Sequence, residues 1–334
     1  TSSATRTSTR ASDVRFGVHH EWGTLREAVV GRADTDDMVV YFHDDAARWM
    51  APPLAAFARV HAGQRLVQVD AAWARRCAEQ VEALAALLAR EGVAVHRPER
   101  LEGPARTYLA PNGEGRQLFV RDPLVVVGEH LVEAAPRPSC RQRERFALRA
   151  LVRQMAQQRG ARWSATPPGA PNGVDGPYLE GGDVLLNGRE VYVGMSGCAT
   201  DMAGVDWLQE LLGERYRVVP VALRSNALHL EDCLALVQPG LLLHCPGRLV
   251  DGLPMALRGW DAIAVSPEEA VALRTDLLVL GPGRAIVEAG NERVAGELQR
   301  RGVEVIALPF DGPVRLGGGL RGAHQPLLRE GDPG

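Results

Sequence analysis

The feature that most constrains this chain is a unit that recurs along it: an acidic residue, a short apolar strand, a tight turn, a second strand, a helix and a third strand. The first copy opens at Asp122, runs through an apolar strand at 124–127, turns at Gly128, continues at Leu131-Val132 and leads into a basic helix over about 141–158. The second opens at Asp183, turns at Asn187-Gly188 and carries a helix over 202–212 and a strand over 217–221. The third opens at Glu231, with strands at 233–237 and 241–243 around Pro239-Gly240, a short helix near 253–257 and a strand at 262–264. The fourth opens at Asp276, with strands at 277–280 and 285–287, a helix over 292–301 and a strand over 303–308. The copies begin about 45 to 60 residues apart, a period that signals a repeat architecture. A strand at 25–30, an amphipathic helix over 71–90 with Val81, Leu84, Leu87 and Leu88 at helical spacing, and a strand at 93–95 supply a degenerate fifth copy. No copy can bury its own sheet, so the copies must pack in a ring with helices outside and the leading acids turned to a shared centre. This predicts a single α/β domain over 16–330 behind a disordered tail over 1–15. The irregular stretches 34–65 and 98–115 read as a lid or insertion and a loop.

Two of the leading segments carry more than one polar group. Glu180-Gly181-Gly182-Asp183 sets two carboxylates around paired glycines, which would let a ligand approach closely. His229-Leu230-Glu231 sets an imidazole and a carboxylate two residues apart, so on extended backbone they face the same side. Acids held rigidly at the start of strands suit a small cationic ligand.

Composition narrows the function classes. The net charge of -3 argues against nucleic acid or an anionic membrane as partner. All 38 basic residues are arginine, which excludes Schiff-base lysine chemistry and a P-loop lysine. The five cysteines are scattered singly, as expected in a reducing compartment, and offer no metal-ligand spacing. His19, His20 and His43 offer none either, so no metal site and no cofactor are expected. No apolar run is long enough to span a bilayer, and a cytoplasmic protein is expected.

Arg121-Asp122-Pro123, Glu180-Gly-Gly-Asp183, His229-Leu-Glu231 and Leu316-Gly-Gly-Gly-Leu320 stand in the order found in the guanidino-group-modifying enzymes, and nearly the whole chain resembles that superfamily. The segment from His20 to Gly31 and the run Gly194-Met-Ser-Gly-Cys-Ala-Thr200 are also similar to it, and the length is nearest to that of bacterial arginine-dependent amidinotransferases. The resemblance implies the pentein fold, a five-bladed α/β propeller of ββαβ repeats around a central site. It also implies site roles. Asp122, Glu231 and Glu180 would hold a planar guanidinium, which carboxylates bind best in bidentate geometry. His229 would act as general acid and base, with Asp183 orienting its ring. Arg248 would hold the substrate's α-carboxylate, and Arg321 is counted with the substrate-binding groups. The implied partner is a small guanidino or amine compound; oligomeric state is left open, a homodimer included.

One position departs from the pattern. The superfamily's nucleophilic cysteine follows the glycine run near the C-terminus, and here Gly322 occupies its place. Attack on an amidino carbon through a covalent intermediate needs a thiolate. Four readings follow: an active enzyme whose nucleophile has been altered; a noncovalent reaction in which His229 activates an amine or water in the vacated space; a relocated nucleophile, with Cys198, Cys233 and His324 as candidates; or a binding protein that has lost catalysis. A hydrolase differs from a transferase by needing no second amine.

Overall fold

A computed structural model of the chain describes residues 16–34, 38–42, 44–109, 116–139, 141–170 and 175–331. The expected tail over 1–15, His43, and the end of the loop at 110–115 lie outside the described residues.

Among the described residues the strands fall into five three-stranded sheets of one design. Strands β1 (Thr24–Val30) and β2 (Ala94–His96) come first along the chain. A sheet of β3 (Leu124–Val127), β4 (His130–Glu133) and β5 (Arg162–Ala165) follows. The next holds β6 (Val184–Asn187), β7 (Glu190–Met195) and β8 (Arg217–Ala222). Then come β9 (Leu234–Gln238), β10 (Leu241–His244) and β11 (Asp261–Ala264). The last complete group is β12 (Leu277–Gly281), β13 (Arg284–Glu288) and β14 (Glu304–Leu308), and β15 (His324–Glu330) ends the series. In each group the first two strands are antiparallel and the third lies parallel to the second. Parallel neighbours require a crossover, and the intervening helices supply it. No ladder joins one sheet to another among the described residues, so no closed sheet is formed.

The same design explains the incomplete copy at the N-terminus. Strand β15 pairs antiparallel with β1, and β1 pairs parallel with β2, so the chain's two ends complete one sheet. The sequence pattern alone does not mark the strand at 324–330. It carries Pro326, and six of its seven residues are buried, so it shows no alternating pattern to detect.

Local sequence accounts for most elements. The Asn187-Gly188 turn places Gly188 at φ 62°, a conformation that glycine adopts without strain. Helix Ala71–Arg90 is capped by Asp70, whose side chain accepts the Trp73 N–H, and it buries Trp73, Cys77, Val81, Leu84 and Leu88. Two stretches expected to be irregular contain helices instead. Pro52-Pro53 begins helix Pro52–His61, where proline at the first turn loses no hydrogen bond, and Gly103–Leu109 is helical. The basic segment after β4 splits into a 3-10 turn, Glu144–Leu148, and helix Arg149–Gln158. None of the helices among the described residues is long and apolar enough to cross a membrane.

Candidate active site

The residues that lead into β3, β6 and β9 meet at one cavity. Asp122, Glu180, His229 and Glu231 line it together with Phe119, Arg141, Glu144 and Gly322. Gly322 stands before β15 as Asp122 stands before β3, so the fifth sheet contributes its own leading position to the same cavity.

The paired glycines admit protein groups rather than a ligand. A Cβ on Gly182 would lie 2.6 Å from His229 Nδ1 and 2.9 Å from Asp122 Oδ1. With no side chain there, the Gly182 N–H donates to Asp122 Oδ1 at 3.2 Å. His229 adopts extended backbone, and its N–H donates to Asp232 Oδ2 at 3.1 Å. Its Nε2 lies 2.9 Å from Glu180 Oε2 and 3.8 Å from Asp122 Oδ1. Burial disfavours an imidazolium here, but Asp122, the Glu180 hydrogen bond and Asp183 outweigh it and raise the His229 pKa well above the ordinary value. The site therefore favours the charged ring, which is able to donate a proton.

Asp183 was expected to orient that ring, and the structure gives the place to Glu180. The Asp183 carboxylate accepts from the backbone N–H groups of Leu230 at 3.0 Å and Thr200 at 3.2 Å. Burial pushes its pKa up to about 7, partly offset by the charge on His229. Asp183 thus anchors the backbone that carries His229 and adds a through-space charge. It is fully buried at the end of the Gly181–Asp183 turn, three residues beyond the carboxylate that reaches the imidazole.

Arg321 departs from its expected role as well. It is buried and does not line the cavity. Its Nη1 donates to Glu231 Oε2 at 2.6 Å, and its Nη2 donates to Glu21 Oε1 at 3.1 Å and to the Val184 carbonyl at 2.7 Å. Two buried acids require a cation, and Arg321 is that cation. Glu231 keeps Oε1 turned toward Gly322, and burial raises its pKa against the opposing charges of Arg321 and His229.

Arg248 is buried. It lies in an adjoining cavity walled by Leu54, Phe57 and Trp73, with Trp49, Met50, Asp232 and Gly317 shared between the two cavities. Its Nη1 makes one long hydrogen bond, 3.4 Å, to the Ala270 carbonyl.

None of the relocated nucleophiles lines the cavity. Cys198 is buried, with its N–H on Ser196 Oγ at 3.2 Å. Cys233 is fully buried, and burial raises its thiol pKa well above the ordinary value. His324 is buried with Nδ1 2.8 Å from the Leu320 carbonyl, and burial beside Arg121 lowers its pKa well below the usual range.

Arg141 and Glu144 were not singled out as site residues in the sequence. Their three-residue spacing, which pairs an acid and a base on one face of a turn, was the available signal. Arg141 donates to Asp122 Oδ2 at 2.7 Å and to Glu144 Oε2 at 2.8 Å. No metal site was expected, yet donor atoms of Asp122, Glu180 and His229 converge within 4.8 Å, close enough to share an ion. The Arg141 cation, paired with Asp122, opposes a divalent ion there.

At position 322 nothing demands glycine. A Cβ would sit 3.5 Å from Glu231 Oε1 and 3.5 Å from Phe119 Cδ1, ordinary contact distances, and the backbone is not left-handed.

No family model matches the chain. It is 27% identical to inosamine-phosphate amidinotransferase 1 of Streptomyces griseus, over 93% of this chain and 96% of that one. It is 26% identical to the L-arginine:L-lysine amidinotransferase of Pseudomonas savastanoi pv. phaseolicola, over 93% of each. Among solved structures it shares the fold of SxtG, an amidinotransferase of Microseira wollei in the saxitoxin biosynthetic pathway, with a TM-score of 0.80 and 22% identity over 96% of this chain and 98% of that one.

Proposed function

We propose that the chain is a member of the guanidino-group-modifying enzyme superfamily, as its similarity to amidinotransferases supports, and that it moves an amidino group between amines without a protein thiol. The five sheets are then the blades of one propeller over 16–330, and the leading residues of the blades surround the site. The donor is arginine or a related guanidino or amide compound in specialised biosynthesis, held by Asp122, Glu180 and Glu231. An amine attacks the amidino carbon directly. The new C–N bond forms as the bond to the donor's nitrogen breaks, and His229 gives its proton to the leaving amine. Glu231 Oε1 or the neutral His229 then takes the proton shed by the incoming amine. Asp183 holds the backbone beneath His229 in place.

The observation that carries this reading is the opening at Gly322. The position borders the cavity beside His229 and Glu231, and a side chain would fit there, so an incoming amine can occupy space that a thiol would otherwise take. Such a reaction needs donor and acceptor bound together. A mass-spectrometric assay of the unmodified chain with L-arginine, with and without a panel of amines, tests it. Ornithine formed only when an amine is present supports the reading. Citrulline or ornithine formed without an amine would make the chain a hydrolase. Neither product would remove arginine as donor.

A binding protein of the same fold is the second reading, and one observation favours it. Asp122, Glu180 and Glu231 already face cations of the chain itself: Arg141, His229 and Arg321 respectively.

A further inference from the structure

Within the cavity, one cation sits where an incoming guanidinium would be held. The Arg141 guanidinium spans two acids: Nη1 donates to Asp122 Oδ2 at 2.7 Å, while Nε and Nη2 donate to Glu144 Oε2 at 3.1 and 2.8 Å. Nη2 also reaches the Phe119 carbonyl at 3.4 Å, and Nη1 lies 4.0 Å from Glu180 Oε2, the oxygen that binds His229. The acids are almost wholly buried, with side-chain exposures of 6% for Asp122 and 2% for Glu144. A planar, five-donor fork held by two carboxylates and a carbonyl is the geometry that a free guanidinium would seek.

Charge makes the same point. Asp122 and Glu144 share Arg141, Glu180 is paired with the charged His229, and Glu231 is paired with Arg321. A guanidinium entering this cavity finds no unpaired carboxylate among those four, and the fifth acid of the lining, Asp232, accepts the His229 backbone N–H at 3.1 Å. At the Asp122 and Glu144 seat the guanidinium must either displace Arg141 or add a cation beside it, at a distance where repulsion in a low-dielectric site is strong. A neutral group of the same shape, such as a ureido group, meets no such opposition.

We propose that Arg141 is a specificity-determining residue that fills the guanidinium seat on Asp122 and Glu144, so the site discriminates against a cationic guanidino group and in favour of its neutral isostere. The inference rests on the reading of this cavity as the substrate site, and it concerns binding alone.

Two experiments on the full chain test it, using L-arginine and L-citrulline as a charge-differing isosteric pair. By calorimetry, Arg141→Gln should raise the ratio of arginine to citrulline affinity at least about tenfold over the unmodified chain, because a freed charge-assisted pair becomes available to the substrate. Arg141→Lys keeps the charge, loses the fork and should leave the ratio low. The second experiment guards against a variant that folds poorly. Arg141→Ala should melt at a lower temperature than the unmodified chain, and millimolar guanidinium chloride should restore part of that loss where equal sodium chloride does not. The unmodified chain, its seat filled, should show no such gain. An unchanged affinity ratio in folded Arg141→Gln, or no specific guanidinium effect on Arg141→Ala, overturns the proposal. If the ratio stays flat while the unmodified chain turns arginine over, the seat assignment falls and amidino transfer stands. If the ratio rises without turnover in any variant, the seat stands and transfer falls.

Discussion

Glu180→Gln isolates the contact that charges the imidazole. It removes the carboxylate oxygen 2.9 Å from His229 Nε2 and conserves shape. The other oxygen accepts the Arg137 N–H at 3.0 Å, and a glutamine carbonyl can keep that bond. Its amide nitrogen then faces Nε2, and a donor there is compatible only with the neutral ring. A hydrogen bond to a charged group is worth about 1.5–3 kcal/mol, and its loss lowers the His229 pKa toward the ordinary value. Asp122, 3.8 Å away, still favours the charged ring and limits the fall. The stability consequence has a definite sign. A histidine whose pKa is raised on folding contributes stability that is complete below its unfolded pKa and is lost as pH climbs through the folded value. Glu180→Gln should therefore be less stable than the unmodified chain below about pH 6.5, with the gap closing as the pH rises through the folded pKa. Titration of the His229 ring by heteronuclear NMR reads the first effect, and urea unfolding at several pH values reads the second. An unaltered ring pKa, or a gap that widens with pH, would refute the assignment of Glu180 as the imidazole's partner.

Gly322→Ala should be tolerated and slightly stabilising, by about 0.4–1 kcal/mol in urea unfolding, since the added methyl meets only ordinary contacts and the unfolded chain loses freedom. Gly322→Cys, combined with Arg141→Gln to free the seat on Asp122 and Glu144, should form a covalent amidino adduct with arginine that mass spectrometry detects, and a folded variant that binds arginine without forming the adduct would show that the acids and His229 are not arranged for attack by a thiol. Gly182→Ala should cost about 1–3 kcal/mol and perturb the His229 titration, because the methyl would collide with the imidazole and Asp122. Cys233 should resist thiol reagents in the native state at pH 8 and react only on unfolding, its thiol being fully buried with a raised pKa.

The recurrence of acid, strand, turn, strand and helix was legible because each part is local. Helix 71–90 and the hairpin at Asn187-Gly188 are written in caps, spacing and glycine chemistry, and the structure places them where the sequence did. The order of the motifs carried the superfamily resemblance for the same reason. The residue types that line the cavity, Asp122, Glu180, His229 and Glu231, were also readable, because acids and a histidine at the start of apolar strands stand out. What they touch was not readable. Glu180 and Asp183 are three residues apart, and only the path of the backbone across Gly181 and Gly182 decides which carboxylate reaches the imidazole and which is spent on backbone N–H groups. Arg321 and Arg141 are two arginines among 38 in sequence. Folding buries one against Glu231 and Glu21 and lays the other across Asp122 and Glu144, and a buried charge takes whichever opposite charge the fold brings within reach. Strand β15, concealed by a proline and by burial on both faces, becomes a strand only because β1 lies beside it. Residue identities therefore determined the repeat and the chemical groups on offer, while their pairing, which sets every charge in the site, was decided by tertiary contacts between segments far apart in the chain.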